Sequence, residues 1–127
     1  GALSDVAMGH AVANGAAFVV CPCCFRSNPH LRVRLPDQKQ LVTVSEWLRT
    51  DHQDVEALQQ LAEVQGDVQM AGHAIHSICT LRAAAAQHHY DSTTSPNNND
   101  LTVEIKTFPI SFSTRNFCIV GTIQQKI

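Results

Sequence analysis

Period-two alternation is clearest near the carboxyl end, where Leu101, Val103 and Ile105 interleave with Thr102, Glu104 and Lys106. That period predicts a strand with one wet face, ended by Pro109. Phe117-Cys118-Ile119-Val120 has no polar alternation and is expected as a second, more central strand, joined to the first through residues 111 to 116. Upstream the spacing turns helical. Ala71, Ala74, Ile75, Ile78, Leu81 and Ala85 form the apolar face of a long helix that starts at Gly66-Asp67 and reaches His88 or His89. Val55, Leu58, Leu61 and Ala62 make a shorter stripe behind an Asp54 cap. Thr43-x-x-Glu46 is a capping box, with Val42 and Trp47 placed as its hydrophobic staple, for a short helix ending near Asp51. Residues 3 to 14 predict the first helix, with Ser4 or Asp5 at its start and Leu3, Val6, Ala7 and Ala11 toward a sheet. Asn14-Gly15 stops it, since both residues tolerate the left-handed conformation. Residues 25 to 42 read as loop, with Pro29 and Pro36 as breakers, and 91 to 100 as a flexible polar loop.

Between the first helix and the first loop lies Ala16-Ala17-Phe18-Val19-Val20, an unbroken apolar run ending in Cys21-Pro22-Cys23-Cys24. Such a run predicts a strand buried on both faces, in a parallel sheet with helices on either side. Pro22 cannot donate to a ladder, so the cysteines fall at the strand's carboxyl end, where ligands sit in open α/β sheets. The order helix, strand, helices, strand, strand defines one α/β domain with no internal repeat.

Composition narrows the function classes. At 127 residues the chain is long enough for one core and no more. A net charge of −2 with 16% charged residues gives no general field for a polyanion, so any nucleic-acid contact is local. No run approaches the roughly 20 apolar residues of a membrane helix. Asp5 and the lack of a basic leader argue against a signal peptide. The 5 cysteines, odd in number and with two adjacent, argue against a secreted disulfide framework and for a reducing, intracellular compartment. Gly1 leads almost directly into helical sequence, as expected of a chain continued from something longer.

Three motifs carry a resemblance. Gly1-Ala2-Leu3-Ser4-Asp5-Val6-Ala7 is similar to the tail of a signature written His-Ala-Cys-Gly-x-x-[Ser/Thr]-Asp-x-Ala. Phe18 to Phe25 is similar to an apolar strand closed by Pro-Cys-Cys-[Tyr/His/Phe], and Ser113 to Gly121 to Ser-x-[Lys/Arg]-Asn followed by an apolar strand and Gly. Together they resemble the later half of a class I, Rossmann-like S-adenosylmethionine-dependent methyltransferase. They look like the methyltransferase-like domain of the glutathione S-transferase C-terminal-domain-containing family. A tRNA 2′-O-methylating family shares cognate motifs. The resemblance implies a partial Rossmann-like sheet ending in an antiparallel pair, and methyl transfer with RNA as a candidate acceptor. It places Asp5 beside the cofactor cleft and Cys21, Pro22, Cys23, Cys24, Phe25, Arg115 and Asn116 around the substrate pocket. The glycine turn and the acidic residue that hold the cofactor in that family are not among these residues. Cofactor binding is therefore expected only with an upstream half, and the chain alone is expected to cover an open sheet edge with that half or with a second copy.

Blander readings stand beside these. Asp5 is also a favourable charge at a helix start, and Asn116 a good turn former. The cysteines can simply pack a tight corner, or Cys21-x-x-Cys24 can be a redox pair. His73, His76 and Cys79 share a helix face but fall short of the usual zinc spacing, so no metal is favoured. Arg26, His30, Arg32, Arg34 and Lys39 form a basic cluster that is either a solvated loop or a phosphate contact. His88-His89 suits a helix carboxyl end. A non-catalytic interaction scaffold and a small redox or metal-binding protein are the alternative function classes.

Overall fold

The longest element is a 24-residue helix, against which most of the other elements pack. The computed structural model describes residues 2–22, 31–37, 40–93, 99–112 and 115–125. Their order is α1 (Ala2–Ala13), β1 (Phe18–Val20), β2 (Arg32–Arg34), β3 (Leu41–Thr43), α2 (Val44–Leu48), α3 (His52–Ala62), α4 (Val68–Asp91), β4 (Asn99–Thr107) and β5 (Phe117–Gln125). Local chemistry sets the helix starts. The Thr43 hydroxyl accepts from the Glu46 amide at 3.2 Å while the Glu46 carboxylate accepts from the Thr43 amide at 3.0 Å, so the capping box is closed. Asp67 caps α4 by accepting from the Met70 amide. At α3 the cap is Asp51, which accepts from the Gln53 amide at 2.8 Å, and the expected Asp54 stands inside the first turn. Arg49, at φ 57, ends α2 in the left-handed conformation.

β1, β5 and β4 form one sheet in that order, and both ladders are antiparallel. The more apolar of the two long strands is thus central, as the sequence predicts. The run at Phe18–Val20 departs from expectation in three ways. It pairs antiparallel with β5, Phe18 opposite Gly121 and Val20 opposite Ile119; it is an edge strand; and Val19 is 67% exposed. Ala16 and Ala17 before it are exposed too. An apolar run three residues long needs only one covered face, and neighbouring small residues imitate the second. Phe18, Val20, Leu101, Val103, Ile105, Ile119 and Ile123 alternate onto the face covered by α4, whereas Thr102, Glu104 and Lys106 are exposed on the other. At Gly121 a Cβ would meet the Phe18 ring, which lies across the glycine from the neighbouring strand.

A second, two-stranded sheet corrects the reading of residues 25 to 42 as loop. Arg32–Arg34 pairs with Leu41–Thr43 around Val33, which is fully buried. Arg32 and Arg34 are therefore strand residues flanking a core position; Arg26, His30 and Lys39 lie outside the described residues, as does half of the polar loop, residues 94–98. The hairpin sits on α1, whose inner face is also not the expected one. Met8 and Val12 are buried there with Asp5, while Leu3 is 71% exposed and Ala7 is exposed. A helix apolar nearly all round gives periodicity little to choose from.

Gly9 lets α1 approach β2. A Cβ there would collide with Val33 and lie 3.0 Å from the Arg34 carbonyl. Gly→Ala inside an exposed helix stabilises by about 1 kcal/mol. Overpacking a core costs about 1–3 kcal/mol, so the sign should reverse here. Urea denaturation of Gly9→Ala should therefore show a loss; a gain would mean that the two elements do not meet so closely.

Candidate functional site

One end of the main sheet carries the larger of two hollows beside α4. β1 ends at Val20, β4 at Thr107, and β5 begins at Phe117, all at the same end. Between that end and the first turns of α4 runs a groove of about 580 Å³, walled by Val68, Gly72, His73, His76 and Ser77 on the helix and by Ile110, Asn116 and Phe117 on the strand side. A smaller hollow of about 280 Å³ adjoins it at Val68 and Gly72 and reaches Arg115. Asn116 shapes the wall. Its Nδ2 donates to the Phe108 carbonyl at 2.8 Å, and its own carbonyl accepts from the Phe108 amide at 3.0 Å, closing the β4–β5 connection. Arg115 Nη2 donates to Glu63 Oε2 at 3.2 Å, tying that connection to the end of α3; both side chains are about one-third exposed, so the pair is worth under about 1 kcal/mol. The His76 ring rests 5.5 Å from that of Phe117, tilted by 59°.

Four of the expected site residues thus fall at or near this end. Arg115 and Asn116 line its hollows; exposed Cys21 and buried Pro22 follow β1 directly. Cys23, Cys24 and Phe25 lie outside the described residues. Cys21 meets Cys118, with the two sulfurs 2.7 Å apart. Asp5 is elsewhere. It is fully buried between α1 and α4, where Arg82 Nε donates to Oδ1 at 2.9 Å and Arg82 Nη2 to Oδ2 at 3.0 Å. Burial pushes the Asp5 carboxyl above its ordinary range, against the pull of the guanidinium and of the Trp47 indole N–H, which lies close without hydrogen-bond geometry. Asp5 is thus spent on an internal ion pair and lines neither hollow. Arg82 was open to detection: it interrupts the apolar series Ile75, Ile78, Cys79, Ala85, Ala86 at core spacing.

His73 and His76 are exposed while Cys79 is fully buried, its thiol pushed up to about 11 by desolvation. The three do not converge, and among the described residues no group of three His, Cys, Asp or Glu side chains could hold a metal ion. Nor is any described helix long and apolar enough to cross a membrane. His89 does more than complement a helix end. Its ring stacks on Trp47 at 4.6 Å and 15°, and Nε2 donates to the Trp47 carbonyl at 2.7 Å.

Burial lowers the His89 pKa below 6.5, helped by nearby His88 and Arg49 and opposed by the carbonyl bond. The unfolded chain then binds the proton more tightly than the native one, so stability contributed by neutral His89 is present above 6.5 and declines as pH falls through it. Between pH 7.5 and 5.5 the change in Tm should be less favourable in the parent than in His89→Asn, and equal changes in the two would remove His89 as the source.

Comparison with known protein families, with curated proteins and with solved structures gives no match to this chain. Fold and site define a mixed α/β domain with a three-stranded antiparallel sheet, helix-covered on one face, and a largely apolar groove with a few polar side chains at one sheet end.

Proposed function

We propose that this chain is the later half of a Rossmann-like, S-adenosylmethionine-dependent methyltransferase domain. It would act, with RNA as the candidate acceptor class, only when completed by an upstream half. The observation that carries the reading is the strand order. The last strand is inserted antiparallel between β1 and β4, which run in the same direction and end together beside Cys21, Arg115 and Asn116. A terminal antiparallel pair next to the cysteine-ended strand is what the resemblance leads one to expect. The outer edge of β1 has no strand partner among the described residues, and Val19 is exposed on it. Such an edge favours association with another strand. An upstream half would supply that strand, the glycine turn that lets backbone approach the cofactor, and the acidic residue for its ribose. When bound, the cofactor supplies an electrophilic methyl group, and the role of the groove residues is to orient the acceptor.

Titration calorimetry tests this directly. S-adenosylmethionine should give no heat with the chain alone and saturable heat once it is joined to an upstream half with the glycine turn. No heat in either case would favour the second reading, an interaction domain that keeps the fold as scaffold, for which the same open edge argues. Under both readings the isolated chain should form a dimer or bind a partner, and a strict monomer in light scattering would count against the open edge.

A further inference from the structure

We propose that Cys21 and Cys118 form a reversible cross-strand disulfide, a latch between β1 and β5 that small disulfides of the oxidised-glutathione class close. The proposal stands apart from methyl transfer. Its ground is geometric: Val20 opposes Ile119 in the antiparallel ladder, so Cys21 and Cys118 are the next pair outward, and their sulfurs already touch at 2.7 Å. Directly opposed residues on antiparallel strands bring their Cβ atoms to the separation a disulfide spans. The pair is also accessible. Cys21 is exposed and Cys118 half-buried, whereas Cys79 is closed off in the core. This assigns to Cys118 the partner role that sequence proximity would give to Cys24.

The two thiols have unequal tasks. Burial, reinforced by the Cys21 thiol beside it, pushes Cys118 up to about 11 and makes it the poorer first nucleophile. Cys21, as thiolate, therefore attacks one sulfur of the small disulfide; that S–S bond breaks and the departing thiolate takes up a proton. Cys118, deprotonated in turn, attacks Cys21 Sγ, and the mixed disulfide breaks to release the second small thiol. Two protein thiols have lost two electrons and two protons, and one small disulfide has been reduced to two thiols. The new bond closes a loop across 97 sequence positions and fixes the carboxyl end of the edge strand at the Cys21-Pro22 corner.

Incubating the native chain with oxidised glutathione, alkylating and digesting without reductant should yield a peptide joining Cys21 to Cys118, which dithiothreitol removes. Cys118→Ser should instead hold glutathione on Cys21, because the resolving thiol is gone, while Cys79→Ser should still form the crosslink. Cys21 joined to Cys23 or Cys24, or Cys21 and Cys118 both alkylated after incubation, would overturn the proposal.

Discussion

Arg82→Met should cost about 3–5 kcal/mol of folding stability at neutral pH, because it leaves the Asp5 carboxylate buried without its counter-ion. The loss should shrink in acid. Burial already raises the Asp5 carboxyl, so the proton the native state holds more tightly contributes stability below the ordinary carboxyl value, about 3.8, and that contribution fades as pH rises through the native value. Asp5→Asn differs in one respect: guanidinium does not lose its proton in proteins, so the opposite charge stays stranded at every pH. Its loss should be of similar size at neutral pH and should not shrink in acid, because the parent keeps the proton-linked stability that asparagine cannot supply. Asp5→Leu with Arg82→Met should recover most of either loss, since an apolar pair of matched volume replaces an ion pair whose desolvation nearly cancels its attraction. Urea denaturation of the four proteins at pH 5 and pH 8 measures all of this. An Arg82→Met variant within 1 kcal/mol of the parent at pH 8 would show that the pair is not buried.

Trp47→Ala should be the second large loss, about 3–5 kcal/mol, from a fully buried side chain in the centre of the core. It removes the stacking partner of His89 and the body that α2 lays against α4. Trp47→Phe should keep most of the stability. The ring is retained, and the indole N–H it gives up makes no hydrogen bond of good geometry. Tm by calorimetry should therefore rank parent, Phe, then Ala with a wide final gap; equal losses would place the indole N–H, not the ring, at the centre of the contribution.

The two experiments differ in how visible their residues are in the chain. Trp47 stands four residues beyond a capping threonine and is placed by the staple pattern alone. Asp5 reads locally as a favourable charge at a helix start, and its partner lies 77 positions away. The site divides the same way. Asn116 comes to the groove and Arg115 to the smaller hollow beside it because they precede a strand whose apolar run is plain, whereas the opposite wall depends on how α4 crosses the sheet.

What the sequence determined by itself is the set of features settled within a few residues. The Thr43–Glu46 box, the Asp67 cap, the stop at Asn14-Gly15, the alternation of β4 and the central place of β5 all follow from hydrogen bonds and side-chain periods between near neighbours. The tertiary structure alone decided the edge position and antiparallel pairing of β1, the Val33 hairpin under α1, the Asp5–Arg82 pair and the meeting of Cys21 with Cys118. Each joins segments whose mutual fit depends on volume and on which polar groups can be satisfied together once water is excluded, and local pattern carries neither quantity.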